Sequence, residues 1–160
     1  MTANEKITPC LWFNFNAEEA VNHYMAIFPH SKILEVSRYG DAMPDLKDVV
    51  LTLRFEIEGR QFLALNAGPQ FPFTEAISLS VDCVDQVEVD LLWERLCEGG
   101  SPSQCGWLKD KFGLSWQIVP RALVNMLKDP DPVKASRVMQ AMMTMGKIDV
   151  AKLQHAYDQA

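Results

Sequence analysis

One structural pattern occurs twice along this chain. An apolar, strand-like run covers Ile7 to Phe15, and a second such run covers Ala76 to Val81. Each run stops at a polar residue, Asn16 or Asp85, that is followed three residues later by Glu and then by an amphipathic helix. This spacing is the capping box, in which two side chains satisfy backbone N–H groups at a helix start. The repetition predicts a duplicated β-α-β unit whose two sheets face each other across a cleft, and clefts bind small molecules.

Composition narrows the class of protein. The chain has 160 residues and 48% of them are hydrophobic, which suits one domain or two small halves that share a core. Its 15 Lys and Arg residues are scattered and its net charge is −6. Nucleic-acid binding needs clustered cations that neutralise phosphates, so we expect no nucleic-acid partner. No apolar run approaches the roughly 20 residues of a membrane-spanning helix, so we expect no membrane partner.

The N-terminal residues and the cysteines indicate a compartment. Met1 to Lys6 has neither the basic region nor the apolar region of a secretory signal, so we expect a cytoplasmic protein. The four cysteines include no C-x-x-C pair, and cytoplasmic proteins usually keep their thiols reduced. We therefore expect Cys10 and Cys83 to be small core residues on strands and expect no disulfide framework.

Hydrophobic periodicity and turn residues predict an α+β fold. The first half has four strands around its helix, the second has at least three strands and only a short fourth, and a helical tail follows. Ala67 to Thr74 is the linker between the halves. The predicted strands are Ile7–Phe15, Ser31–Tyr39, Val49–Glu58, Gln61–Asn66, Ala76–Val81, Gln104–Leu108 and Leu114–Val119. The predicted helices begin at the caps Asn16 and Asp85, and in the tail at Arg121, at Asp131-Pro132 and at the cap Asp149.

Several motifs resemble a known family. They are Leu11-Trp12-Phe13-Asn14, Ala17-Glu18-Glu19-Ala20, Phe62 to Pro69, above all Gln104 to Gln117, and in the tail Asp129 to Pro132 and Val138 to Met143. With these motifs the chain resembles the vicinal oxygen chelate superfamily of glyoxalase I, bleomycin-resistance proteins and extradiol dioxygenases. The closer resemblance is to its PhnB-like branch, often labelled 3-demethylubiquinone-9 3-methyltransferase.

The resemblance implies an architecture and an assembly. It implies one domain over residues 1–160, made of tandem βαβββ-type modules at 6–68 and 75–120 with a helical C-terminal extension at 121–160. It also implies a homodimer with a cleft on the concave sheet. Chemistry does not follow from the fold in the same way, because one fold hosts unrelated reactions.

Enzymes of this superfamily generally hold a divalent metal ion with His, Gln or Glu at four inward strand positions. The corresponding positions here are Pro9 or Cys10, Leu65 or Asn66, Ala76 with Glu75 beside it, and Gln117 or Trp116. Gln117 is a plausible ligand, whereas Glu75 would need a one-residue slip that turns its side chain to the other face of the strand. The histidines, His23, His30 and His155, have no recognisable ligand spacing. We therefore expect no metal ion and no other cofactor.

Tryptophans and amides are the candidate ligand-binding residues. Trp12, Trp107 and Trp116 lie on predicted strands, and Asn14, Asn66 and Gln117 lie among them. Indoles and amides can line a pocket for a flat or polar small molecule. They can equally form a Trp-rich core whose amides satisfy the backbone, and the sequence leaves both interpretations open.

Candidate catalytic residues are weaker. Cys105 lies near Lys109 and Lys111, which would lower a thiol pKa, but no His is placed to act as its base. Asp110 is either an acid or base or the cap of its own turn. A methyltransferase that uses S-adenosylmethionine typically has a Gly-rich loop between a strand and a helix, and neither Gly99-Gly100 nor Gly113 lies in one.

The sequence therefore predicts a protein that binds a small organic ligand. One alternative is an enzyme of unassigned reaction in which Cys105 or Asp110 supplies the chemistry. The resemblance also implies, as an alternative, an enzyme of the glyoxalase/dioxygenase superfamily or the labelled 3-demethylubiquinone-9 3-methyltransferase activity.

Overall fold

The computed structural model describes residues 4–159. These residues form eight β-strands, five α-helices and a 3₁₀ helix at Pro44–Leu46. The strands are β1 (Cys10–Phe13), β2 (Ser31–Arg38), β3 (Val50–Ile57), β4 (Arg60–Asn66), β5 (Ser78–Cys83), β6 (Ser101–Pro102), β7 (Trp107–Lys109) and β8 (Ser115–Pro120). The α-helices are α1 (Ala17–Ile27), α2 (Gln86–Cys97), α3 (Arg121–Leu127), α4 (Pro132–Met142) and α5 (Val150–Asp158). Each helix in this part of the chain is too short or too polar to span a bilayer.

The chain divides into two compact units, Met1–Pro72 and Phe73–Ala160, here called unit 1 and unit 2. Each unit holds one four-stranded sheet, in the order β1-β4-β3-β2 in unit 1 and β5-β8-β7-β6 in unit 2. In both sheets the first strand pairs parallel with the last, and the other pairs are antiparallel. Both sheets therefore have the same connectivity, and the predicted α+β fold of tandem modules is confirmed.

The core of unit 1 lies between α1 and its sheet. Helix α1 contacts β3 and β4, and it buries Ala17, Ala20, Val21, Tyr24 and Ile27. On the strands, Phe55 and Phe62 stack with ring centroids 5.5 Å apart. The β3–β4 turn places Glu58 and Gly59 at φ of 48° and 82°, a left-handed pair typical of two-residue hairpins, and glycine adopts it without strain.

The core of unit 2 lies between α2 and strands β5, β7 and β8. Helix α2 buries Val89, Leu92 and Leu96 at helical spacing, while Leu108 and Ile118 are buried on the sheet. The predicted short fourth strand is β6, which has two residues.

The three tail helices enclose a small apolar cluster of their own and are tied to the rest of unit 2. The cluster consists of Leu123, Met126, Val138, Met145, Ile148 and Leu153. The backbone N–H groups of Cys105 and Gly106 donate to the carbonyls of Met145 and Gly146, both at 2.8 Å. The predicted helical C-terminal extension is confirmed.

The two helix caps differ from one another. The Asp85 side chain accepts from the N–H of Glu88 at 2.9 Å, as the capping box predicts. The predicted side-chain cap at Asn16 is wrong, because in the described part of the chain the Asn16 side chain makes no hydrogen bond that caps α1. The N–H of Ala17 instead donates to Oδ1 of Asn66 at 3.0 Å, so a side chain from β4 caps α1.

Three predicted strands differ from the observed strands by more than one residue at an end, and the other four differ by one residue. The predicted strand from Ile7 is only the four residues of β1, and Ile7 itself is 81% exposed. The fifth strand begins at Ser78 rather than at Ala76. The strand predicted from Gln104 begins at Trp107, because Cys105 and Gly106 have φ of 58° and 83°, which interrupts extended backbone.

Candidate functional site

The register of the unit 1 sheet divides its side chains between two faces. Phe13 pairs with Asn66, whose side chain caps α1, so these positions lie on the α1 side. Trp12, Leu65 and Thr52 are aligned across β1, β4 and β3 and lie on the opposite side, since successive side chains alternate. We call this opposite side face 1. Its residues are Cys10, Trp12, Thr52, Arg54, Glu56, Gln61, Leu63 and Leu65.

Trp12 is held at one end of face 1 by the segment that follows β4. Its indole N–H donates to the carbonyl of Gly68 at 2.9 Å, and its ring meets that of Phe71 edge to face with centroids 4.8 Å apart. Asn14 follows β1 and is exposed. The ring of Trp12 is therefore fixed in place and is only partly buried.

Asn66 does not lie with Trp12 on face 1. Its side chain is 1% exposed on the α1 side, where Nδ2 donates to Glu18 Oε1 at 2.7 Å and to the carbonyl of Val50 at 3.0 Å. With the bond from Ala17, the amide joins β4, α1 and β3. These bonds leave the side chain little capacity to bind a ligand.

Arg54 lies on face 1 but is not among the ligand-binding residues predicted from the sequence. Its Nη1 donates to Thr8 Oγ1 at 3.3 Å, and its Nε is buried without a hydrogen-bond partner among the described residues. The available signal was the alternation of Thr52, Arg54 and Glu56 with apolar residues along β3. That pattern gave the polar face of a hairpin but not the surroundings of each side chain.

Unit 2 also has a sheet face that lies away from its helix, which we call face 2. Its residues are Ser78, Ser80, Trp107, Lys109, Ser115 and Gln117. Trp107 is directly opposite Gln117 in the register, so the structure brings these two predicted ligand-binding residues together. The Gln117 amide donates to Ser78 Oγ at 2.9 Å. Ser115 is 1% exposed, and its hydroxyl has no hydrogen-bond partner within residues 4–159.

One ion pair lies at the edge of face 2. Lys109 forms a salt bridge with Glu75, and the hydrogen bond from Lys109 lowers the pKa of Glu75. Both charges are thereby neutralised locally.

Trp116 and Asp110 are not on face 2. Trp116 is 2% exposed. It directly precedes Gln117 on β8, so its side chain lies on the other side of the sheet, toward α2. Its indole donates to Asp110 Oδ2 at 2.9 Å, and the other oxygen of Asp110 accepts from the N–H groups of Phe112 and Leu114 at 2.9 and 3.0 Å. The carboxylate therefore closes the β7–β8 turn and fixes the indole, which matches the turn-capping interpretation of Asp110.

The cysteines have different surroundings. Cys105 has the left-handed backbone described above and an intermediate exposure, and all four thiols are free. Burial is the main factor that raises the pKa of Cys83 to about 12, and Glu88 and Asp82 add to the shift. Desolvation also raises the pKa of Cys97 and of Cys10. Cys83 is buried as predicted, but the expectation that Cys10 is a core residue is wrong, because Cys10 lies exposed at the start of β1.

The residues at the metal positions of the superfamily do not fit a divalent ion. Cys10 has a raised thiol pKa, Leu65 has no donor atom, Glu75 is paired with Lys109, and the Gln117 amide nitrogen is bonded to Ser78. Within residues 4–159, no three His, Cys, Asp or Glu side chains are grouped as metal ligands. We derive no metal-centred step from this arrangement.

The strand connectivity identifies the fold class of this protein, and the comparison with known proteins identifies its family. Two β-α-β-β-β units in tandem, each with the same strand order, are the fold of the vicinal oxygen chelate superfamily. Residues 5–119 match the family model described as 3-demethylubiquinone-9 3-methyltransferase. The chain belongs to this PhnB-like family. The three tail helices lie beyond the matched residues.

Solved structures agree with this assignment. A putative 3-demethylubiquinone-9 3-methyltransferase, PhnB protein, from Bacillus cereus is 34% identical over 72% of this chain and 99% of that chain, with a TM-score of 0.66. A protein from Pseudomonas aeruginosa is 23% identical over 73% and 98% of the two chains, with a TM-score of 0.59. The genomically encoded fosfomycin resistance protein of Listeria monocytogenes is 18% identical over 81% and 100%, with a TM-score of 0.51. The last two likenesses show the fold alone, and no curated protein matches the chain.

Proposed function

We propose that this chain is a small-molecule-binding protein of the PhnB-like family and that its ligands bind against face 1 and face 2. The observation that carries the proposal is that each face has both an indole and a buried polar atom without a partner among the described residues. Face 1 has Trp12 and the Nε of Arg54, and face 2 has Trp107 and the hydroxyl of Ser115. Buried polar groups are nearly always hydrogen-bonded, so such atoms call for a partner outside the chain.

The geometry favours binding over catalysis. Asp110 is already engaged by three donors, and Cys105 lies in a strained turn whose backbone is bonded to the tail. Neither therefore has the geometry of a positioned acid, base or activated nucleophile. Gln117 and Trp107, by contrast, present an amide and an indole side by side, which suits a small polar ring.

Intrinsic fluorescence tests the proposal. A panel of small organic molecules is titrated into the wild-type protein and into Trp12→Phe, Trp107→Phe and the control Trp93→Phe, which changes a tryptophan on α2. We expect saturable changes that are lost in Trp12→Phe or Trp107→Phe and kept in Trp93→Phe. If no compound gives a saturable change, or if every variant keeps it, the proposal fails.

Turnover distinguishes the alternative. Compounds that bind are incubated with wild type, Cys105→Ala and Asp110→Ala, and products are followed by mass spectrometry. We expect no product from any of them. Product formed by the wild type and lost in either variant would support the enzyme interpretation.

Metal content and assembly are further parts of the proposal. We expect elemental analysis of protein purified without chelator to find less than one equivalent of Zn, Ni, Fe or Mn.

We also propose a homodimer, because β2 is at the edge of its sheet and Ile33 and Val36 on it are 41% and 45% exposed. Light scattering tests this, and a monomer at all concentrations would contradict it. The cytoplasmic location stays a prediction from the sequence.

A further inference from the structure

We propose that face 1 binds the carboxylate of a small organic acid through Arg54, a proposal that rests on the small-molecule function proposed above. The proposal concerns the class of ligand. It follows from the register of β3, from the atoms of the Arg54 guanidinium and from the charges around it.

The register places Arg54 in the middle of face 1. Arg54 pairs with Leu63 on β4, and Leu63 pairs with Cys10 on β1. The next aligned set toward one end is Thr52, Leu65 and Trp12. Arg54 therefore has apolar side chains beside it on β4.

One edge of the guanidinium has no hydrogen-bond partner among the described residues. Nη1 makes the hydrogen bond to Thr8, at 3.3 Å. Nε is buried and has no partner, and Nη2 donates no hydrogen bond to any described residue. Nε and Nη2 form the side-on edge of arginine, whose two parallel N–H groups match the two oxygens of a carboxylate.

The charge on Arg54 is not neutralised by a neighbouring side chain in the described part of the chain. Glu56, on the same strand and face, is within 4.0 Å of Lys32. Glu35 is opposite Arg54 in the register, but a register irregularity between Ile33 and Glu35 occurs there. Glu35 is exposed and forms no ion pair with another described residue. A partly desolvated guanidinium without an anion is unfavourable, and a bound carboxylate would remove that penalty.

The surroundings also indicate the body of the ligand. One strand, β4, separates β3 from β1. Trp12 is two strand spacings of about 4.8 Å across the sheet from Arg54 and two residues further along, which puts their Cα atoms about 12 Å apart. Leu63 and Leu65 occupy the intervening positions. The ligand that fits is an acid with a compact aromatic or branched aliphatic body directed toward Trp12.

The test uses matched pairs of acid and amide on the full chain. The probes are benzoate, phenylacetate and 4-methylpentanoate with their uncharged carboxamides, and Kd is measured by calorimetry. We expect at least one acid to bind about tenfold or more tightly than its amide, as two charge-assisted hydrogen bonds require. Arg54→Gln should remove this preference, and Arg54→Lys should reduce it because lysine lacks the planar fork. Arg60→Gln, at an exposed residue of the same sheet, should keep it.

Stability separates a binding role from a structural one. Arg54→Leu should raise the urea midpoint in the absence of ligand, because it removes a partly buried charge that has no counterion. An arginine that holds the fold together would give a lower midpoint on replacement. A lower midpoint for Arg54→Leu would therefore overturn the proposal.

The binding outcomes distinguish the two proposals. Equal affinities for acids and amides, or an unchanged preference in Arg54→Gln, overturn the role of Arg54 and leave the small-molecule function standing. If neither an acid nor an amide binds saturably and the fluorescence panel is also silent, both proposals fail. If the fluorescence panel finds ligands but no acid of the three binds, only the carboxylate proposal fails.

Discussion

At the scale of single residues, Asn66 shows how one buried amide connects three elements. Its side chain accepts from Ala17 and donates to Glu18 and to Val50, and its own carbonyl accepts from the hydroxyl of Tyr39. Buried donors and acceptors are expensive to leave without partners. The residue is therefore better explained by the stability of unit 1 than by ligand binding.

Replacing Asn66 tests this explanation. Asn66→Ala leaves the α1 N–H and the Val50 carbonyl without their partner, so we expect a loss of about 2–4 kcal/mol in the free energy of unfolding. Urea denaturation at neutral pH measures it. The control Asn14→Ala, at an exposed position, should change stability by less than about 0.5 kcal/mol. A similar small effect for Asn66→Ala would contradict the role that we assign.

Asp110 allows a second prediction at this scale. In Asp110→Asn one oxygen can still accept from the turn, but an NH₂ group then meets the indole N–H of Trp116, donor against donor. We expect a loss of about 1–3 kcal/mol of stability, together with a change in tryptophan emission. The control is Asp45→Asn, a substitution of an exposed residue, which should leave stability unchanged. Unchanged stability with lost activity in Asp110→Asn would instead favour the catalytic interpretation.

At the scale of secondary structure, α2 is the element to which the tail is fixed. The side-chain amide of Gln86, the first residue of α2, donates to the carbonyl of Ile148 at 2.9 Å and accepts from the N–H of Val150 at 2.7 Å. Lys147 pairs with Asp90 one turn further along, at 2.8 Å. The amide thus pairs with the tail backbone much as a neighbouring strand would.

Gln86→Ala removes both bonds to the tail, and the bond from the Gln86 amide to Asp90 Oδ1, without changing a charge. We expect stability to fall by about 1–2 kcal/mol, and we expect amide hydrogen exchange to become faster at Val150. The control is Gln154→Ala, whose exposed side chain bonds only Asp158 on the same helix. Equal exchange at Val150 in Gln86→Ala and wild type would show that the tail is held elsewhere.

At the scale of the whole molecule, the helical tail has become part of unit 2. Val119 of β8 packs against the tail cluster, and the N–H groups of Cys105 and Gly106 depend on tail carbonyls. A methyl group at Gly106 would also meet the Ile118 carbonyl at 3.0 Å and the Ile148 side chain at 3.1 Å. The glycine therefore permits this close approach of the two segments.

A chain that ends at Pro120 tests the dependence of unit 2 on its tail. We expect faster hydrogen exchange at Cys105 and Gly106 and in α2, because their partners are removed and apolar surface becomes exposed. Strand β3 in unit 1 serves as the internal reference. Removal of Gln159 and Ala160 alone should have no effect, and unchanged exchange in unit 2 after the longer deletion would contradict the prediction.

The sequence by itself determined the type and order of the elements and the duplication, because periodicity, capping residues and turn residues act over a few positions along the chain. The resemblance in Gln104 to Gln117 added the family. Local signals also gave the Asp85 cap, which is made three residues away. They did not give the cap of α1, because its acceptor is Asn66, which is far away in sequence.

Only the tertiary structure decided which face each candidate side chain occupies. Trp116 and Gln117 are neighbours in sequence, yet one is buried toward α2 and the other lies beside Trp107 on face 2. Alternation reverses with a shift of one residue, so the pattern of residue types does not assign the face until the pairing register is known. The surroundings of Arg54 are decided in the same way, since its lack of a counterion depends on pairing across three strands and on an irregularity in β2.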